Sequence, residues 1–434
     1  MGGGTSLLAE VIGMVKRSLG DEFRRLLLVV LLVAGMIFLL AACGGGTGSG
    51  DQASSDGQRP FSALEREARG TTVNFFMYGG DDATNSYVDN FIAPRLEEEH
   101  GITVERTPVS DTADVVNKLL NERQAGDDEG TVDLVWINGE NFYTGSQADL
   151  WFGPWAEELP NARYIDWQDP LIKKDFGYPV DGYEAPWSQA QFVMVYDSAK
   201  VDDPPRTVDE LREWVRENPG RFAYPAPPDY TGSAFVLQIF YGVTGEVEPY
   251  QEAFDEAAFE ERAQEFYDYM NEIEPDLWRG GETYPKTVAE LDGLYQNGEV
   301  DMTMSYNPYL AQRQVAKGLF PETTRTYLLE GGTLSNTNYV AIPFNAPNKA
   351  GAQVAANFMQ SPEAQAEMQR THVVGGLTTL DLDRLPEERR REFAGTPDEA
   401  ALPLGELQDN RLPEARTGWL VAVQDGWIEN VQRR

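Results

Sequence analysis

Cysteine is almost missing from this chain: Cys43 is the only one in 434 residues. No intramolecular disulfide can form and a thiolate metal site is excluded, so the fold has to stand on its hydrophobic core. Histidine is nearly as scarce, with only His100 and His372. No G-x-S-x-G, H-E-x-x-H, Walker A or dinucleotide fingerprint occurs either, which leaves nucleophilic and zinc chemistry without support. Positive charge is also in short supply. Lys and Arg number 35 against 71 Asp and Glu, a net charge of −36, and such a surface repels nucleic acid and other polyanions. The acidic residues are spread along the chain, as on a solvated surface suited to a saline or extracellular setting. Long-range attraction of a cationic solute is a second consequence, screened by salt over ~8–10 Å.

Long apolar runs are limited to Leu26–Leu40, which follows Arg24 and Arg25. At ~1.5 Å per residue it would span roughly 23 Å, short of the ~30 Å of a bilayer's hydrocarbon core. It therefore reads as the apolar part of a signal peptide. An uncleaved signal anchor is the alternative, because Ala41 and Ala42 bring the run to ~17 apolar residues. The run ends in Leu40, Ala41, Ala42 and Cys43, followed by three glycines. That ending resembles a bacterial lipobox, which implies a diacylglycerol on the Cys43 thiol, cleavage before it and a mature chain held at the outer face of the cell membrane. Gly2 with Ser6 also matches a myristoylation pattern, but a cytoplasmic lipid signal does not belong with an export segment.

Residues 43–70 are rich in Gly, Ser, Asp and Gln and read as a flexible tether. The remaining stretch of roughly 360 residues is long enough for more than one domain. Thr72–Met77 is expected as a strand, Ser86–Glu99 as a helix and Thr103–Thr107 as a strand. A helix around Val115, Val116, Leu119 and Leu120 follows, then a buried strand Val132–Ile137. This β-α-β-α-β order predicts a parallel sheet covered by helices. Further on, a strand is expected at Gln191–Tyr196, and Thr207 with Glu210 and Thr287 with Glu290 both read as capping boxes. Asn297 and Gly298 would close the second of these helices and lead into a strand Val300–Ser305. Asn307 and Pro308 are expected as N-cap and first residue of a helix closed by Gly318. A strand Tyr339–Pro343, an Ala-rich helix Lys349–Gln360 and a short helix after Ser361 and Pro362 complete the α/β pattern.

Three stretches carry a family resemblance: Asn74–Asp81 (NFFMYGGD), Asp133–Phe142 (DLVWINGENF) and Glu184–Phe192 (EAPWSQAQF). With them the region from Thr71 to Met368 resembles the extracytoplasmic solute-binding proteins of ABC importers. The likeness is to the two-lobed group that includes thiamine, iron and polyamine binders, and within it to the YnjB-type branch. The resemblance implies an α/β, two-lobed periplasmic-binding-protein type II fold with a hinge and an interlobe cleft. One lobe would comprise 71–185 with 337–375 and the other 186–336 with 376–434. It implies a lipoprotein that captures a small molecule and passes it to a permease and its ATPase, a monomer with neither catalytic activity, cofactor nor metal. A lipid-anchored glycan-active enzyme, whose carboxylate pair leaves no local motif, or a surface-adhesion protein is the alternative.

Open parallel sheets bind ligands at the carboxyl ends of their strands, and this points to particular residues. Tyr78, Gly79, Gly80 and Asp81 follow the first strand, where glycines permit close backbone approach; as a plain turn they need no ligand. Asn138, Gly139, Glu140 and Asn141 follow the third strand and offer amides and a carboxylate, or else serve as a helix cap. The resemblance places Trp187, Ser188 and Gln189 at the first crossing between lobes, where Trp187 would stack on a planar or cationic ligand or fill the hinge. Tyr230, Thr231 and Ser233 precede a helix expected at Ala234–Tyr241 and would aim hydroxyls and N–H groups out of the second lobe. Tyr306 and Asn307 end a strand at a position that iron-binding relatives use, but Asn307 stands where a paired tyrosine ligand would be, which argues against ferric iron. Trp278, Trp151, Trp155 and Trp167 read as packing. The aromatic residues suit an aromatic, heterocyclic or cationic solute, thiamine-like molecules among them.

Overall fold

The computed structural model describes residues 60–370, 373–393 and 400–432. The apolar run, Cys43, His372 and the expected tether as far as Arg59 lie outside the described residues. The last part of that tether is structured. Phe61–Ala68 forms a helix (α1) that buries Leu64 and Ala68 against Lys349–Met359, so the apolar spacing of a short segment outweighs its polar neighbourhood.

β1 (Thr72–Tyr78) points Val73, Phe75 and Met77 into one core and Phe76 towards another, the two-residue alternation of a sheet covered on both faces. α2 (Asp82–Tyr87) passes through a π-helical turn, Val88–Ile92, into α3 (Ala93–His100). β2 (Thr103–Val109), α4 (Thr112–Ala125), β3 (Leu134–Ile137) and α5 (Gly139–Gln147) follow. β1 pairs in parallel with both β2 and β3, as the β-α-β-α-β order predicts.

The strand expected at Gln191–Tyr196 is in fact two, β4 (Glu184–Gln191) and β5 (Val193–Asp197). α6 (Val208–Glu217) opens with the complete Thr207–Glu210 capping box. α7 (Tyr230–Thr244) is capped by Asp229, and α8 (Glu256–Ile273) by Asp255. At α9 (Val288–Gln296) the box is half made: Thr287 accepts the Glu290 N–H at 3.2 Å, while the Glu290 carboxylate takes the Lys286 N–H at 2.7 Å. β6 (Met302–Ser305) precedes α10 (Leu310–Ala316), which starts later than Asn307 and Pro308 suggest. Asn307 Oδ1 takes the Tyr309 N–H at 3.0 Å and so forms a turn ahead of the helix. β7 (Thr324–Tyr327) and β8 (Thr333–Ala341) follow, the latter beginning well before the expected Tyr339. α11 (Lys349–Met359), α12 (Pro362–Gln369), β9 (Arg411–Pro413) and α13 (Thr417–Trp427) complete the course.

The largest sheet has the strand order β9-β8-β3-β1-β2, with β4 paired to β8; a second, three-stranded sheet has the order β6-β5-β7, and Lys174–Asp175 pairs with Tyr178–Pro179 in a small two-stranded one. In the second sheet β5 is antiparallel to both neighbours, so the later half does not repeat the parallel α/β arrangement of the first. The two lobes have separate cores. Phe75, Trp187, Val340 and Ala355 belong to one, and Phe192, Phe235, Met304 and Trp427 to the other. The antiparallel ribbon of β4 and β8 runs from the first core, where Glu184 faces Ala341, to the second, where Gln191 faces Ser335. This ribbon is the hinge. In the C-terminal part Leu380, Leu385 and Phe393 form a separate cluster with Ile165, Ile172 and Ala366, while Trp419, Val423 and Trp427 enter the second core.

Candidate functional site

Between the two cores lies a cleft of about 1020 Å³, lined from both lobes and from the hinge, at the upper end of the ~300–1,000 Å³ usual for small-molecule sites. Its walls follow from strand direction. β1, β2 and β3 all end at it, presenting Tyr78 and Asp81, then Ser110, Asp111 and Thr112, then Trp136, Asn138 and Asn141. The opposite wall is made by the start of α7, one side of α9 and the segment Ser305–Pro308 with Arg313. The strand-end rule thus locates the first wall, while the second is set by helix starts.

Eleven of the residues expected from sequence line this cleft: Tyr78, Asp81, Asn138, Asn141, Trp187, Ser188, Gln189, Tyr230, Thr231, Tyr306 and Asn307. Their capacity to touch a solute differs. Tyr78 and Tyr230 are 45% and 53% exposed and stand on opposite lobes. Asp81 is committed to its helix, accepting from Ala83 N at 3.0 Å and Thr84 Oγ1 at 2.6 Å. Asn138 Nδ2 donates to Thr337 O at 2.8 Å and leaves the N-terminus of α5 without a side-chain cap. Gln189 is bound into the hinge, donating to Thr337 Oγ1 and accepting from Arg411 Nη1, both at 3.0 Å.

Trp187 is only 2% exposed. Its ring meets Trp136 edge-on at 5.3 Å and Phe75 at 6.2 Å. It packs in the hinge at the edge of the cleft, beside Trp136, whose Nε1 donates to Asn338 Oδ1 at 3.1 Å.

The other five expected residues do not line the cleft. Gly79 is pressed against Pro108, where an added Cβ would lie 2.7 Å from the proline Cβ, and Gly80 is covered by the Tyr78 ring. Gly139 has φ +53° and gives its N–H to the buried Asp175 carboxylate. Glu140 is exposed on the first turn of α5. Ser233 is buried in α7, and its Oγ has no hydrogen-bond partner among the described residues.

Several titratable groups around the cleft are shifted by burial. Asp292, which lines it, is pushed up to about 7 despite the hydrogen bond from Thr303 Oγ1. Behind Tyr306, Glu414 is likewise pushed up to about 7 by burial, opposed by the hydroxyl that Tyr306 donates to it. Asp175 and Glu184 are held well above the carboxylate range, by burial in both and, for Glu184, additionally by the charge of Asp175. Burial disfavours the charged form of both, and the pair belongs to the interior, not to a charged site.

Sequence reasoning misses Ser110, Asp111 and Thr112, although they follow β2 and the strand-end rule reaches them. It also misses Trp136, Asn336 and Asn338, which sit on strands and line the cleft because of register. For Arg313 and Asp292 there is no local signal.

A family model for bacterial extracellular solute-binding proteins matches residues 92–381. The chain belongs to this family. Protein YnjB of Escherichia coli strain K12 is 35% identical over 366 residues, covering 84% of this chain and 92% of YnjB. The spermidine/putrescine substrate-binding protein PotD from Streptococcus pneumoniae superposes with a TM-score of 0.60 at 17% identity, over 83% of this chain and 98% of PotD. An ABC transporter protein from Clostridium perfringens does so with a TM-score of 0.59, also at 17% identity, over 83% and 99%. The fold is the two-lobed type II periplasmic-binding-protein fold, and the protein is a binding protein, not an enzyme, that works outside the cytoplasm. Among the described residues no helix is long and apolar enough to cross a membrane.

Proposed function

We propose that the chain captures a small organic solute in the interlobe cleft and delivers it to an ABC permease driven by a cytoplasmic ATPase. The observation that carries this reading is the cleft itself, walled by two separate cores that a two-stranded hinge connects. Rotation about such a hinge closes both walls on a solute, and the closed form is what a permease can distinguish from the empty one. Tyr78 and Tyr230 are the ring contacts, one from each lobe, with Asn141, Ser188, Thr231 and Asn307 supplying polar contacts. The first lobe takes 61–185, 337–375 and the segment 380–393, and the second takes 186–336 and 400–432. We expect the purified protein, denatured and extracted, to release a small molecule in near-stoichiometric amount that raises the melting temperature when added back. Product formation from a glycan in place of such retention would overturn the reading.

The protein acts as a lipid-anchored monomer, held through Cys43. The anchor keeps the receptor near its transporter; a single acyl chain binds a membrane only marginally, whereas two hold stably. In a bacterial host, Cys43→Ala is expected to abolish incorporation of labelled palmitate and to move the protein from the membrane to the soluble fraction. Unchanged labelling would exclude Cys43 as the anchor.

A further inference from the structure

Three aspartates and one arginine line the cleft, and they differ in whether the protein supplies their partners. Of its acidic lining residues, Asp81 caps α2 and Asp111 caps α4, accepting the Ala113 N–H at 2.8 Å, and Asp292 accepts from Thr303 Oγ1 at 2.8 Å. These carboxylates are engaged by the protein's own donors. Arg313 is the one cation that lines the cleft among the described residues. It makes no ion pair with any of them. Among the described residues its one side-chain hydrogen bond runs from Nη1 to Val374 O at 2.8 Å, and the nearby charge of Asp81 only partly offsets the burial that lowers its pKa. A half-buried guanidinium with five donors and no paired counter-charge is costly to desolvate further, and lobe closure does desolvate it. In a chain with 71 acidic residues, an arginine left without an ion pair at a ligand cleft needs its partner from the ligand.

We infer that the solute carries an anionic group, a carboxylate or its phosphonate or sulfonate counterpart, and that Arg313 is the residue that receives it. This rests on the solute-receptor reading and reverses the sign of charge that the composition suggests. Arg313 selects among solutes by charge, and Tyr78, Tyr230 and Trp136 contact the uncharged remainder.

The test uses the full-length protein, titrated with compounds that share an aromatic body: phenylacetate, benzylphosphonate, benzylsulfonate, phenylacetamide and phenethylamine. In parallel, the solute released on denaturation is identified by mass spectrometry. Wild type should prefer an anionic member over the amide, and Arg313→Gln should lose about tenfold to hundredfold in affinity for that member. Affinity for the amide should stay the same, and Arg313→Lys should recover part of the loss. Equal losses for acid and amide would mean that Arg313 supports the wall through Val374 and reads no charge, which overturns the inference. So would a released solute without an anionic group, and in both cases the receptor reading stands. Silence with every compound, and no released solute, would overturn the receptor reading together with this inference.

Discussion

Trp187→Ala is expected to destabilise the protein by about 3–5 kcal/mol, the cost of removing a buried indole and leaving the space unfilled. The side chain is 2% exposed and sits between Phe75 and Trp136 in the core of the first lobe. Its carbonyl accepts from the buried Gln365 Nε2 at 2.6 Å, so the backbone there is also fixed from behind. Solute affinity should fall as well, but indirectly, because Trp136 loses its support. Tyr78→Ala is the comparison: this ring is 45% exposed, and its loss should change stability by no more than about 0.5 kcal/mol. Denaturation midpoints followed by circular dichroism measure both. A wild-type midpoint for Trp187→Ala would remove this residue from the core.

Glu414→Gln is expected to stabilise the protein above neutral pH and to leave it unchanged in acid. Burial pushes this carboxyl from its ordinary 4.5 up to about 7. Because the folded value is the higher one, the associated stability is fully present below pH 4.5 and is lost as pH rises to about 7. Above that pH the folded state holds an ionised carboxylate in a buried place, at a cost of roughly 3 kcal/mol, since each tenfold change in proton affinity corresponds to ~1.4 kcal/mol. Glutamine keeps an oxygen for the Tyr306 hydroxyl, which donates to Glu414 Oε1, and removes the charge. The difference in unfolding free energy between variant and wild type should therefore grow between about pH 5 and about pH 7.5 and then level off. A pH-independent difference would show that Glu414 does not titrate in this window.

These two residues illustrate which parts of the site are legible in the sequence. Trp187 stands out as a residue of the crossing, but stacking on a solute and filling the hinge have the same local signature. The choice depends on Phe75 and Trp136, which reach it from other strands. Glu414 carries no signal in its own neighbourhood. It becomes part of the ligand region only because the segment after β9 returns beneath Tyr306. Glycines mislead in the opposite direction. Gly79 and Gly139 follow strands, where ligands are expected, yet the space beside them is taken by Pro108 and by Phe176.

The amino-acid pattern alone settles the local matters: the alternation in β1, the complete capping box at Thr207, the helices after Asn348 and Ser361, and the family to which these stretches belong. Periodicity and capping act over a few residues, and a linear reading captures them. The antiparallel second sheet, the start of β8 at Thr333 and the packing of Leu380, Leu385 and Phe393 on Ile165 and Ile172 depend on partners far away in the chain, as does the lack of an ion-pair partner for Arg313 among the described residues. Composition points to a cationic solute because it sums all charges. Folding decides which charges face the cleft: there Asp81 and Asp111 are turned to the helices they cap and Asp292 to Thr303, while the arginine is left for the ligand.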